Sequence, residues 1–172
     1  MNRDSEQDYR EFVNSRLQRL ASFAFAQCRD WHQAEDIVQR SLVRLYRKWT
    51  KVAHTNPDAY VRRIIVNLLH DDRRTGWFRR ERVAEVLPDR HSHDPSDQTA
   101  SRLSVLTALA QLPPRQRQAV LLRHWEDMSV QDTAIVMGCS EGTVKTQTSR
   151  GLKALTVLLE DAAIEELKGI HA

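Results

Sequence analysis

At 172 residues the chain can form one domain or two small ones with real cores, and its formal charge of +3, from 26 basic and 23 acidic residues, is mild. Two cysteines far apart, Cys28 and Cys139, exclude a disulfide framework and a zinc knuckle, and no apolar run reaches the ~18 residues of a membrane span. The polar N-terminus does not read as a signal peptide, so the expected setting is soluble, reducing and cytoplasmic. Five Gly, five Pro and no alternating β-branched runs predict an almost wholly helical protein.

The first helix is expected from about Ser5 to Cys28, with Tyr9, Phe12, Val13, Leu17, Leu20 and Ala24 forming its apolar side. Asp30 is placed to cap a second helix, Trp31 to Trp49, whose inward stripe is Ala34, Val38, Leu42, Leu45 and Trp49. Its other side carries Asp36, Gln39, Arg40, Arg44 and Arg47. Lys51 to Pro57 reads as a loop, because Asn56-Pro57 signals a turn and a helix start. The third helix then runs from Pro57 to Arg74, with Tyr60, Val61, Ile64, Ile65 and Leu68 inward.

Beyond it, Arg73, Arg74, Arg79, Arg80 and Arg82 flank Trp77 and Phe78. The arginines suit backbone phosphates; the rings either offer stacking platforms for unpaired bases or tuck into the core. Residues 83–100 lose the helical period and, with Pro88 and Pro95, read as a flexible acidic linker. His91, His93 and Asp94 lie there without a second ligand cluster, so no metal site is expected. From Ser101 a helix with Leu103, Leu106, Leu109 and Ala110 ends at Leu112-Pro113-Pro114, and Pro114 can open the next helix, which continues to Trp125 with Ala119, Val120 and Leu121 inward.

Ser129 to Leu155 reads as two helices joined by a tight turn. Val130, Ala134 and Ile135 are apolar on the first, Gly138 can end it in a left-handed conformation, and Ser140 can cap the second. Val144, Thr148, Leu152 and Leu155 make the inward stripe of that second helix. Its other face, Lys145, Thr146, Ser149, Arg150 and Lys153, is short-polar and cationic, as suits a helix lying in a DNA major groove. An ordinary helical hairpin with a solvated face is the plainer alternative. An acidic tail is expected from Thr156.

Charge is unevenly spread: residues 60–82 carry +4 and 101–155 carry +3, whereas 83–100 and 156–172 carry −3 each. Two basic blocks set apart by an acidic stretch are compatible with two contacts to a polyanion. No phosphate-cradling glycine loop, zinc quartet or nucleophile with a signalled base is present, and His70, Asp71 and Asp72, adjacent on a helix, cannot converge on one substrate. The expectation is a protein that is not an enzyme and needs no cofactor.

Three stretches together, Ala34–Trp49, Asn56–Arg74 and Leu112–Leu155, resemble the extracytoplasmic-function sigma factors of the sigma-70 family of bacterial RNA polymerase, in a tone similar to the actinobacterial sigma-E-like members. The resemblance implies an all-α fold with a region 2-like domain over 1–82, a linker over 83–100 and a region 4-like helix-turn-helix domain over 101–172. It implies docking on core RNA polymerase through Asp36, Gln39 and Arg40, the last standing where the family usually has Glu. The −10 promoter element would be read and opened by the loop holding His54 and Asn56 and by Asn67, Asp71 and Arg74. The −35 element would be read by Thr143, Lys145, Thr146, Ser149 and Arg150, with Leu112–Trp125 helping to bind the polymerase flap. Thr146-Gln147 replaces the family's usual Ser-Arg. Implied partners are core polymerase, promoter DNA and an anti-sigma factor, with no membrane. A stand-alone helix-turn-helix regulator competes with this reading, but would need neither the Asp36/Gln39 helix nor the aromatic-arginine patch. A helical interaction protein, or a nucleic-acid enzyme without recognisable motifs, is the remaining alternative.

Overall fold

The computed structural model describes residues 3–75 and 97–170, and among these it is helical with no strand. The first half comprises α1 (Arg3–Cys28), α2 (Trp31–Tyr46), α3 (Trp49–Val52) and α4 (Pro57–Thr75). The second comprises α5 (Asp97–Gln111), α6 (Pro114–Val120), α7 (Val130–Met137) and α8 (Glu141–Ile170). The aromatic-arginine patch beyond Thr75 and the expected linker up to residue 96, with His91, His93 and Asp94, lie outside the described residues; the last four residues assigned to that linker, 97–100, instead form the first turn of α5.

Local chemistry sets most boundaries. The Asp30 carboxylate accepts the Gln33 amide at 2.9 Å, capping α2, and the Asn56 side-chain oxygen accepts the Ala59 amide at 3.0 Å, capping α4. Pro114 occupies the first turn of α6, where a missing amide donor costs nothing. After Val120 the helix widens by one residue per turn, so that the Glu126 amide donates to the Leu121 carbonyl at 2.9 Å.

Helix α2 ends sooner than its periodicity predicts. A tightened turn, with Lys48 donating to the Leu45 carbonyl at 2.9 Å, interrupts it after Tyr46. The short α3 then carries Trp49 into an aromatic cluster, its ring centroid 5.3 Å from Tyr9 and 5.2 Å from Phe12. The expected loop from Lys51 therefore starts inside a helix and becomes irregular only at Ala53.

One continuous core runs through both halves. Leu20, Phe23, Ile37, Leu45, Ile65 and Leu68 fill the first, and Leu109, Leu121, Leu122, Val136 and Val144 the second. Three expected inward residues face out instead: Leu17, Ile135 and Leu152 are exposed. Leu17 lies on the less covered N-terminal half of α1, and α7 buries Thr133, Ala134, Val136 and Met137 in place of Ile135. The expected tail from Thr156 is a continuation of α8 to Ile170, since its Leu, Ala and Glu residues favour helix and no proline stops them. No described helix is long and apolar enough to cross a membrane.

Candidate nucleic-acid interface

The helix-turn-helix is built by three caps. The Ser129 hydroxyl accepts the Asp132 amide at 2.9 Å and starts α7. Gly138, at φ 61°, turns the chain into the left-handed region, and the Cys139 amide closes the turn on the Ala134 carbonyl at 3.1 Å. The Ser140 hydroxyl then accepts the Thr143 amide at 3.1 Å and starts α8. Such a turn is a backbone decision, and only glycine adopts it without strain.

On α8, Val144 is fully buried while Lys145, Thr146, Ser149 and Arg150 are exposed on one side; Thr143 is half-buried. Thr146 donates its hydroxyl to the Gly142 carbonyl at 3.0 Å, which leaves its exposed oxygen free to accept. Lys145, Ser149 and Lys153 line a shallow cleft with Arg123 and His124 from the widened turn after α6. Those last two were not picked out in the sequence, because they sit on another helix; the fold adds the Arg123 charge and the His124 ring to the same face. Gly151 seats α8 on α6: a Cβ there would lie 2.7 Å from Val120 Cγ2 and 3.1 Å from the Gln116 carbonyl oxygen.

The second polar face lies on α4, where Asn67, Asp71 and Arg74 are exposed. Arg63, four residues before Asn67, extends the same strip and was also missed; its i−4 spacing was the available signal. His54 and Asn56 are exposed at the loop that precedes the helix. Asn67, Asp71 and Arg74 thus share one side of α4, whereas Asn56 is engaged twice, capping α4 with its oxygen and donating from its nitrogen to Asp132 of α7 at 3.0 Å.

A third face belongs to α2. Asp36, Gln39 and Arg40 are exposed, with Arg40 donating to Asp36 at 3.2 Å and lying 3.5 Å from Asp72 of α4. Val43, 53 % exposed, and Tyr46 continue this face. An apolar residue outside the buried stripe was their only sequence signal. Tyr46 leans edge-on against Tyr9, centroids 5.0 Å apart, and the Tyr9 hydroxyl donates to the Leu42 carbonyl at 2.9 Å. Burial, and then the neighbouring Tyr46, raise the Tyr9 pKa.

The halves meet through polar groups that single-helix periodicity does not foreshadow. Arg62 of α4 and Glu126 have side chains 4 % and 0 % exposed, and are ion-paired through both Nε, at 2.7 Å, and Nη2. Asp58 accepts from Arg62 at 2.9 Å, and Arg19 of α1 reaches the other Glu126 oxygen at 3.3 Å. Arg117 of α6 donates to the carbonyls of Leu109, Ala110 and Leu112 at the end of α5, and to Gln27 near the end of α1 at 2.6 Å. Helix C-termini are the negative poles that favour a cation. Burial, followed by repulsion from Arg73 and Arg29, lowers the Arg117 pKa to about 10.

The profile of sigma-70 region 2 matches residues 12–79, and that of sigma-70 region 4 matches 102–155. The RNA polymerase sigma-E factor of Streptomyces avermitilis is 37 % identical over 163 residues, covering 92 % of this chain and 88 % of that protein. The sigma-E factor of Streptomyces coelicolor is 36 % identical, over 86 % of this chain and 84 % of that one. Among solved structures, the sigma factor RpoE from Bartonella quintana, in complex with the anti-sigma factor NepR, matches with a TM-score of 0.74 and 26 % identity, covering 90 % of this chain and 98 % of that chain. CnrH, in complex with the cytosolic domain of CnrY, shares the fold at a TM-score of 0.65 and 21 % identity, covering 91 % and 95 %. Matched in both regions and across most of its length, the chain belongs to the extracytoplasmic-function group of the sigma-70 family, the RNA polymerase sigma factors.

Proposed function

We propose that this chain works in the cytoplasm as a promoter-specificity subunit that acts only on core RNA polymerase, contributing location and strand opening while the polymerase contributes catalysis. The observation that carries the reading is the pairing of two exposed polar faces in one chain, α8 in region 4 and α4 with its preceding loop in region 2. Region 4 addresses the −35 element through Lys145, Thr146, Ser149 and Arg150, with the start of α8, including Thr143, against a phosphate. Region 2 addresses the −10 element through Asn67, Asp71 and Arg74, and holds an unpaired base near His54 and Asn56. The α2 face, Asp36 and Gln39 with the exposed Val43 and Tyr46, meets the polymerase, and Leu112–Trp125 adds a contact to its flap. An anti-sigma protein, as NepR is in the RpoE complex, is the further partner expected.

Mixing the full chain with core polymerase and a panel of promoter fragments tests this. Start-site-specific transcripts that need both proteins are the expected result. Tight duplex binding and repression without polymerase would instead identify a stand-alone regulator.

A further inference from the structure

The turn between α1 and α2 gathers positive charge that the promoter-reading faces leave unused. Arg73, in the last turn of α4, and Arg117 of α6 both donate to the Gln27 carbonyl, at 3.2 and 2.6 Å. Two guanidinium groups thus converge on one oxygen near the end of α1. Arg29 follows in the turn itself. After burial, the nearness of Arg73 and Arg29 is what lowers the Arg117 pKa, so the three charges lie within electrostatic reach of one another. Among the described residues no carboxylate is ion-paired with any of them. A helix C-terminus supplies only about half a negative charge. The ends of α1 and α5, where these arginines donate, therefore offset only part of three formal charges.

Arg29 carries two further marks. Its backbone stands at φ 62°, in the left-handed region that side chains other than glycine enter under strain. Its Nη1 is buried without a hydrogen-bond partner, as are both side-chain amide atoms of Gln27. Folded proteins pair nearly all buried polar groups, and backbone strain of this sort gathers at ligand clamps. An unpaired donor, a strained backbone and an unbalanced charge share one remedy, a bound anion.

We propose that Arg29 and Arg73, in the field of Arg117, form a binding site for a phosphate group carried by a small molecule. Arg117 engages its nitrogens with the carbonyls of Leu109, Ala110, Leu112 and Gln27, and so contributes a fixed charge. Arg73 is exposed and, among the described residues, holds Gln27 through Nη2 alone, which leaves its other donors for a ligand. Arg29 is half-buried and gains the partner that its Nη1 lacks by turning toward the same anion. Its guanidinium lies 5.5 Å from the Phe25 ring, which is stacked on Trp31 at 4.2 Å, so the wall behind it is rigid. A planar guanidinium meets two phosphate oxygens at once, and two such groups suit a tetrahedral oxyanion far better than a halide. Free phosphate and the phosphoryl end of a nucleotide present the same oxygens.

Titration calorimetry on the full chain tests this, with inorganic phosphate, pyrophosphate and ATP added in chloride buffer at constant ionic strength. Inorganic phosphate should bind saturably with a Kd on the order of 1 mM or tighter, and the more highly charged pyrophosphate about tenfold more tightly. ATP binding no tighter than pyrophosphate would support the site with the free anion as its ligand; ATP binding about tenfold tighter would support it with a nucleotide as ligand. Arg29→Gly suits the left-handed backbone and removes the guanidinium, and Arg73→Gln alters an exposed side chain and decides the matter if Arg29→Gly misfolds. Each should weaken phosphate binding by about tenfold or more with the helical circular dichroism unchanged. Lys48→Gln, which removes an exposed charge on another part of the surface, should bind as wild type does. No saturable binding of any of the three anions, wild-type affinity in the arginine variants, or an equal loss in Lys48→Gln would each overturn the proposal.

Discussion

Arg40 donates to the Asp36 carboxylate one helical turn earlier, at 3.2 Å, and in doing so covers a group that the docking face of α2 would present to polymerase. Both residues are exposed, so the pair adds little to stability; exposed pairs contribute ~0.2–1 kcal/mol. Its effect falls on availability. Arg40→Ala should change the thermal midpoint negligibly and strengthen association with core polymerase by severalfold. Asp36→Ala should weaken that association with the fold intact. Competition for core against a labelled sigma factor reads both, and equal affinities for all three chains would remove Asp36 from the interface.

Helix starts were legible because they rest on neighbours in the chain. Asp30, Pro57, Pro114 and the Gly138–Ser140 turn each act within a few residues, and each stands where its chemistry placed it. The polar faces of α4 and α8 were legible for the same reason. What periodicity cannot supply is the partner of a face. Leu17, Ile135 and Leu152 fit apolar stripes yet stay more than a third exposed. Arg62 reads as a surface residue until Glu126, 64 positions away, is folded against it. The same blindness hid Arg123 and His124, which join the α8 face only through the widened turn.

Gly151 gives the packing of the recognition helix a direct test. An alanine methyl would sit 2.7 Å from Val120 Cγ2 and 3.1 Å from the Gln116 carbonyl oxygen, one yielding and the other fixed in backbone. Overpacking of this kind costs ~1–3 kcal/mol. Gly151→Ala should therefore lower the denaturation midpoint despite alanine's better helix propensity. Adding Val120→Ala removes the nearer obstacle, so the double variant should lose less than the two single losses combined. Additive losses in urea unfolding would mean that the two helices do not meet at this position.

Cys28 ties stability to alkaline pH. Burial is the main cause that raises its pKa from 9.0 to about 11, and its thiol donates to the Asp30 carbonyl at 3.3 Å. A thiol whose folded pKa is raised stabilises the fold fully below pH 9 and loses that contribution as pH climbs through about 11. Cys28→Ala should flatten this decline. Between pH 8 and 10 wild type should lose stability relative to the variant, toward a limit of about 3 kcal/mol at still higher pH, from two pKa units at ~1.4 kcal/mol each. At pH 8 the folded Cys28 should also alkylate about 100-fold more slowly than an ordinary thiol, since two pKa units separate their thiolate fractions. Rapid alkylation of Cys28 under native conditions, mapped by peptide mass, would contradict its burial.

Arg150 separates base reading from phosphate binding on α8. It is exposed at the end of the polar face, one residue before the glycine that holds the helix against α6, so its backbone position is fixed while its side chain is free to enter a groove. A guanidinium that addresses a guanine edge in two places discriminates by ~1–3 kcal/mol. Arg150→Ala should cost that much on the preferred −35 sequence and much less on fragments altered at the contacted base. Lys145→Ala and Lys153→Ala, whose ammonium groups act as point charges, should weaken every fragment alike and lower the salt dependence of binding by about one counterion each. Measured as holoenzyme on fragments differing only at −35, a uniform loss for Arg150→Ala would make it a phosphate contact too, and the sequence reading would pass to Thr146 and Ser149.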